Sequence, residues 1–71
     1  MEAKIKFKNL NIEDTISVNI DYVIEYDEVI NYVEYKLYSK YKKAFYFKED
    51  FEILNDVEIC NELQNRGMFL S

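Results

Sequence analysis

Residues 15–26, TISVNIDYVIEY, carry an apolar side chain at every second position: Ile16, Val18, Ile20, Tyr22, Ile24 and Tyr26. An extended chain sends alternate side chains to opposite faces of a sheet. This spacing therefore turns six apolar groups toward a core and leaves Ser17, Asn19, Asp21 and Glu25 to water. No helical turn sorts these residues as cleanly. The stretch reads as a long β-strand with one buried face, and the rest of the chain as what covers that face. Twelve extended residues would span about 40 Å, more than ordinary strands do, so the strand is expected to bend or end early.

Residues 4–9 alternate as well, with Ile5 and Phe7 on one side and Lys4, Lys6 and Lys8 on the other. They read as a first strand with a solvated lysine face, which suits an edge strand because lysines discourage pairing with other chains. Asn9, Asn11 and Asp14 supply turn chemistry between the two strands, making them an antiparallel hairpin.

Residues 27–43, DEVINYVEYKLYSKYKK, admit two readings. As a helix they have Asp27 at the N-cap, acids early and lysines late to complement the macrodipole. Ile30, Val33, Leu37, Tyr41 and Ala44 then form a narrow stripe. As strands they have β-propensity from valine, isoleucine and tyrosine, with Val33, Tyr35 and Leu37 alternating. A meander would have to reverse near Asp27 and again near Lys42 without glycine, proline or Asn-Gly, so the helix is preferred. Residues 44–48, AFYFK, read as a third strand with Phe45 and Phe47 on one face and Tyr46 on the other. Residues 49–54 either prolong it, with Phe51 and Ile53 in the same parity, or open a helical turn.

Residues 55–67 read as a complete helix. Asn55 at the N-cap and Glu58 three residues on form a capping-box pattern, and Val57, Cys60 and Leu63 line one face, flanked by Ile59. Gly67, the only glycine in the chain, sits where a left-handed residue ends a helix. Met68 is then expected against Leu63, with Phe69 and Leu70 under the sheet. The expected fold is a single small α+β domain over residues 1–71, a β-hairpin plus a third strand packed by one or two helices, one of them carboxy-terminal. A four-stranded meander with one carboxy-terminal helix is the alternative.

A chain of 71 residues buries only about 60% of the surface it exposes when unfolded, so small domains usually carry a staple. One cysteine closes no internal disulfide, and without histidine no ordinary four-ligand zinc site assembles, which leaves association with another chain. Cys60 reads as a small buried hydrophobe. Lys4, Lys6 and Lys8 interrupt anything resembling a signal peptide, and no apolar run is long enough to span a membrane, so a cytoplasmic protein is expected.

The net charge of −5 is arranged in blocks: seven acids and no base over 11–34, five lysines and no acid over 36–48, six acids over 49–62. Overall acidity argues against direct nucleic-acid binding, which needs a basic field. The abundance of Phe, Tyr, Met, Ile, Asn and Lys, residues with AT-rich codons, is compatible with a phage or mobile-element origin.

Catalysis finds no support. Histidine triads are excluded, no glycine-rich loop cradles phosphate, and the acid pairs Glu13-Asp14, Asp27-Glu28 and Glu49-Asp50 lack calcium-loop spacing. No catalytic residue, cofactor or metal is expected. The feature with the best claim to function is surplus aromatic surface. On a helix, Tyr35 lies almost opposite the Ile30-Val33-Leu37 stripe, with Tyr32 and Tyr38 beside it, and solvated tyrosines suit a protein interface. A second candidate is the acidic block, Glu49, Asp50, Glu52, Asp56, Glu58 and Glu62, with Glu58 and Glu62 as its key contacts. Its carboxylates would imitate a phosphate row in a partner's nucleic-acid channel, an analogy of size and charge with small acidic phage inhibitors and anti-CRISPR proteins. The expected function is a non-enzymatic protein-binding module that inhibits or redirects a host protein, such as a defence nuclease or another nucleic-acid-binding enzyme. The alternative is a structural or self-associating small subunit, for instance a homodimer.

Overall fold

A computed structural model describes residues 1–23 and 25–66. In chain order they form β1 (Glu2–Phe7), β2 (Glu13–Ser17), a 3-10 turn (Ile20–Tyr22), α1 (Tyr26–Tyr41), β3 (Phe51–Ile53) and α2 (Asp56–Asn65). The strands make one antiparallel sheet in the order β2-β1-β3. The fold is α+β, with a hairpin, a third strand and a helix after it.

Alternation in β1 buries Ala3, Ile5 and Phe7 and exposes Glu2, Lys4 and Lys6. The buried set joins Ile16, Val18, Phe51 and Ile53, and both helices close over that side: α1 through Val29, Val33 and Leu37, α2 through Ile59 and Leu63. Apart from Ala3, each such side chain withdrawn from water contributes about 1.5–3 kcal/mol before chain entropy is subtracted. Among the described residues the opposite face of the sheet is open and polar. There Lys6 stands opposite Glu13 of β2 and Glu52 of β3, so opposite charges flank it on both sides.

β1 is thus the central strand and not an edge, because Phe51–Ile53 pairs along its second side. β2 ends early, at Ser17. Asn19 is the cause: its side-chain oxygen accepts from the Asp21 N–H at 3.0 Å and starts the 3-10 turn. The repeat changes there from two to about three. Val18 and Ile20 stay buried, Val23 takes the next inward place, and Tyr22 swings out to 83% exposure. Tyr26, expected on the same strand face, opens α1 instead, and Ile24 lies outside the described residues.

α1 confirms the helical reading of the middle segment but shifts its details. Its N-cap is Glu25, not Asp27, with no side-chain capping bond, and its buried stripe is Val29, Val33 and Leu37 at i, i+4 and i+8. Ile30 is half-buried, Tyr41 is exposed, and Ala44 lies beyond the helix. The helix ends at Lys42, held left-handed at φ 58° while its N–H donates to the Tyr38 carbonyl at 2.7 Å. A side chain with a Cβ is strained in this conformation. Lys42→Gly is therefore expected to raise stability by about 1 kcal/mol, read as a higher melting temperature. A lower one would mean that the lysine side chain makes a contact worth more than the strain.

Residues 44–48 show the expected sidedness without the expected strand: Phe45 is buried, Phe47 half-buried and Tyr46 exposed. Lys48 turns left-handed at φ 69°, the Glu49 and Asp50 N–H groups both donate to the Tyr46 carbonyl, and the Asp50 carboxylate accepts from the Tyr46 N–H. This tight reversal leaves only a single bridge between Phe47 and Phe51, so the third strand forms after it.

Asn55 occupies the N-cap position of α2 but makes no capping bond with its side chain. Its Oδ1 accepts from the Lys4 N–H at 2.9 Å and its Nδ2 donates to the Glu2 carbonyl at 2.8 Å. A carboxamide carries the donor and acceptor of a peptide unit, so Asn55 prolongs the β1–β3 ladder beyond the bond from the Leu54 N–H to the Lys4 carbonyl. Val57 is exposed rather than core-facing, whereas Ile59 and Leu63 are buried and Cys60 is half-buried. Burial, then the Asp56 charge, pushes the Cys60 thiol up, which keeps it a poor nucleophile. The expectations for Gly67, Met68, Phe69 and Leu70 fall outside the described residues.

The Tyr26 hydroxyl is buried with no hydrogen-bond partner among the described residues. Burial, and then the nearby Asp56 and Cys60, push its pKa up to about 12. Removing an unsatisfied buried donor relieves its desolvation cost. Tyr26→Phe should stabilise the fold by about 1 kcal/mol in chemical denaturation, and a destabilised variant would show that the hydroxyl is bonded in solution.

Candidate functional site

Helical geometry sets what α1 leaves over. With Val29, Val33 and Leu37 facing inward, a residue two positions from Val33 or Leu37 lies on the far side, and Tyr35 is 66% exposed there. Tyr38 is exposed as well, and Tyr32, nearer the sheet, is half-buried against the core. The 3-10 turn that expels Tyr22 delivers it beside this helix. Tyr22 and Val23 from the turn, Asn19 before it, and Glu28, Asn31, Tyr32 and Tyr35 from α1 enclose a groove of about 590 Å³.

The groove unites Tyr32 and Tyr35 but not Tyr38, which lies elsewhere on the helix surface. It adds Tyr22, which alternation alone placed in the core. A signal for Tyr22 was present in the sequence: Val23 puts an apolar group at a position that strict alternation assigns to water, and Asn19 two residues before Asp21 is turn chemistry. Glu28 is in the lining, Asp27 is exposed on the adjoining residue, and Asp21, next to Tyr22, is paired with Arg66. One wall already holds a cation, since the Lys36 ammonium lies 5.5 Å from the centre of the Tyr32 ring.

Glu58 and Glu62 lie on α2, exposed and half-buried respectively. Glu62 receives the Arg66 guanidinium at 3.4 Å, and Arg66 also pairs with Asp21, so Glu62 sits in a chain of charges tying α2 to the 3-10 turn. The other acids of the block are dispersed. Glu52 lies on the open face of the sheet, away from the helices, Asp50 holds the Tyr46 turn, and Asp56 accepts from the Val57 N–H. The block is spread over three elements and does not form one row.

A further polar cluster joins β2 to the end of α1. The Asp14 carboxylate accepts from the Lys40 ammonium at 2.7 Å, the Tyr41 hydroxyl at 2.5 Å and the Thr15 N–H at 2.7 Å. Burial pushes the Asp14 pKa up, but these hydrogen bonds outweigh it and hold the carboxyl below the usual aspartate range.

Among the described residues no helix is long and apolar enough to cross a membrane, and no group of three or more His, Cys, Asp or Glu is placed to hold a metal ion. Comparisons with protein-family models, curated proteins and solved structures yield no match.

Proposed function

We propose that this chain is a non-enzymatic protein-binding module whose groove between the 3-10 turn and α1 receives a cationic side chain, such as arginine, from a partner protein. The observation that carries the reading is the meeting of Tyr22, Tyr32 and Tyr35 around one groove beside Glu28. Tyrosine gives large contact area at small entropic cost, its ring face attracts cations, and a rim carboxylate supplies the counter-charge. Lys36 over Tyr32 is an example of the same contact within the chain. Extending the reading to inhibition or redirection of a host protein, in the manner of a small phage protein, draws on size and composition. A self-associating subunit is the competing reading.

Capture from a bacterial lysate with the tagged protein and two variants tests it. Tyr35→Ala should weaken retention of the bound protein by roughly 30-fold, equivalent to ~2 kcal/mol, while its circular dichroism stays native. Glu58→Lys with Glu62→Lys should retain the partner, and added salt should weaken binding only mildly, since one ion pair is involved. If the double lysine variant loses the partner instead, and nucleic acid displaces it, the acidic block is the binding surface and the groove is not. Capture of the chain by itself alone would favour the self-associating subunit.

A further inference from the structure

β2 is an open edge. Met1 and Val18 exchange hydrogen bonds in both directions, at 2.8 and 2.7 Å, and the Phe7 N–H donates to the Ile12 carbonyl at 3.0 Å. With the register Ala3↔Ile16 and Ile5↔Asp14, the even-numbered residues of β2 therefore face β1. Glu13, Thr15 and Ser17 direct their backbone groups the other way. The Thr15 N–H is taken by the Asp14 carboxylate, but the N–H and C=O of Glu13 and Ser17 and the C=O of Thr15 have no partner among the described residues. The far edge differs, because the reversal before β3 folds back and the Lys48 N–H donates to the Phe51 carbonyl at 2.7 Å.

A shallow channel of about 260 Å³ runs beside the open edge, lined by Thr15, Ile16 and Ser17 of β2 and by Lys36, Ser39 and Lys40 of α1. Its charged side chains are both lysines. Lys40 is shared with Asp14, whereas Lys36 has no carboxylate within 4.0 Å among the described residues. An uncompensated ammonium beside a row of free ladder groups suits a strand that brings a carboxylate with it.

We infer that the free edge of β2 takes an extended, carboxylate-bearing segment of a partner protein as a fourth strand, with that carboxylate against Lys36. Main-chain hydrogen bonds to Glu13, Thr15 and Ser17 supply affinity, and the lysine supplies selection. A second copy of this chain fits less well. Two-fold pairing of β2 with itself would bring two α1 flanks together, Lys36 and Lys40 against their counterparts, with no acid lining either channel. Lys36 also lies over Tyr32, so the channel leads toward the tyrosine groove. The inference rests on the reading of this chain as a protein-binding module, but it concerns a different surface.

The test is titration of the nitrogen-15-labelled protein with synthetic peptides alternating valine and glutamate, valine and lysine, and the glutamate peptide N-methylated at every second residue. With the glutamate peptide, amide signals of Glu13, Ser17 and Lys36 should shift, and N-methylation or Lys36→Glu should weaken binding by at least about fivefold. Lys36 is exposed, so its replacement leaves the fold intact by circular dichroism. Equal binding of the lysine peptide, shifts confined to other residues, or no shifts would overturn the inference. So would concentration-dependent shifts at Glu13 and Ser17 without peptide, which would assign the edge to a second copy. Tyr35→Ala should leave the glutamate-peptide shifts unchanged, so failure at the edge and failure of the tyrosine groove are read separately.

Discussion

Phe7→Ala should cost about 3–5 kcal/mol, a large part of the stability that so small a domain has. Phe7 is 1% exposed on the central strand, with the Phe45 ring 5.0 Å and the Tyr41 ring 5.7 Å away. Truncation therefore empties the point where β1, the end of α1 and the following loop meet, and leaves the Phe45 and Tyr41 rings facing a cavity. A domain of 71 residues has a total stability of only about 4–10 kcal/mol, so a single core cavity removes much of it. Urea denaturation checks this directly. A loss under about 1 kcal/mol would mean that the aromatic cluster is not part of the cooperative core.

The second large effect is expected at Asp14, whose carboxylate receives three hydrogen bonds with its side chain only 15% exposed. Asp14→Ala should destabilise by about 2 kcal/mol near neutral pH, because β2 loses its tie to the end of α1. The pH dependence has a definite sign. The folded pKa of Asp14 lies below its unfolded value, so its contribution is complete above the unfolded value, about 4, and is lost as pH falls through the folded one. Tyr41 behaves oppositely: the hydrogen bond to Asp14, then burial, raises its pKa, so its share is complete below the unfolded value near 10 and fades as pH rises through the folded one. Wild type should therefore lose stability on both sides of a neutral plateau, and Asp14→Ala should flatten both shoulders. Parallel stability profiles for the two proteins would show that the cluster does not hold in solution.

Much of this fold was legible because burial follows simple periods. Alternation located β1 and the Thr15–Ser17 part of β2, although Glu13 and Asp14, read as part of the turn, belong to the strand too, and the lack of tight-turn residues near Asp27 and Lys42 separated helix from meander. What escaped were positions where a short polar side chain redirects the backbone. Asn19 converts an alternating run into a 3-10 turn, and Asp50 fixes the reversal that displaces the third strand. Asn55 looked like a helix cap and is in part a sheet residue, because Glu2 and Lys4 lie within its reach, a contact across more than fifty positions that no local pattern encodes. The candidate site was half legible for the same reason. Helical spacing puts Tyr35 outward and Tyr32 at the flank, whereas Tyr22 reaches the groove only through the turn that Asn19 begins.

On the proposed reading the tyrosine wall is surplus to the fold and available for contact. Equilibrium denaturation of the double variant Tyr22→Ser with Tyr35→Ser tests it most directly, since both rings are more than half exposed. A midpoint close to wild type is expected, a change within about 1 kcal/mol for two surface substitutions. A loss of about 3 kcal/mol or more would show that these rings complete the core, and would contradict the reading of the groove as a binding surface.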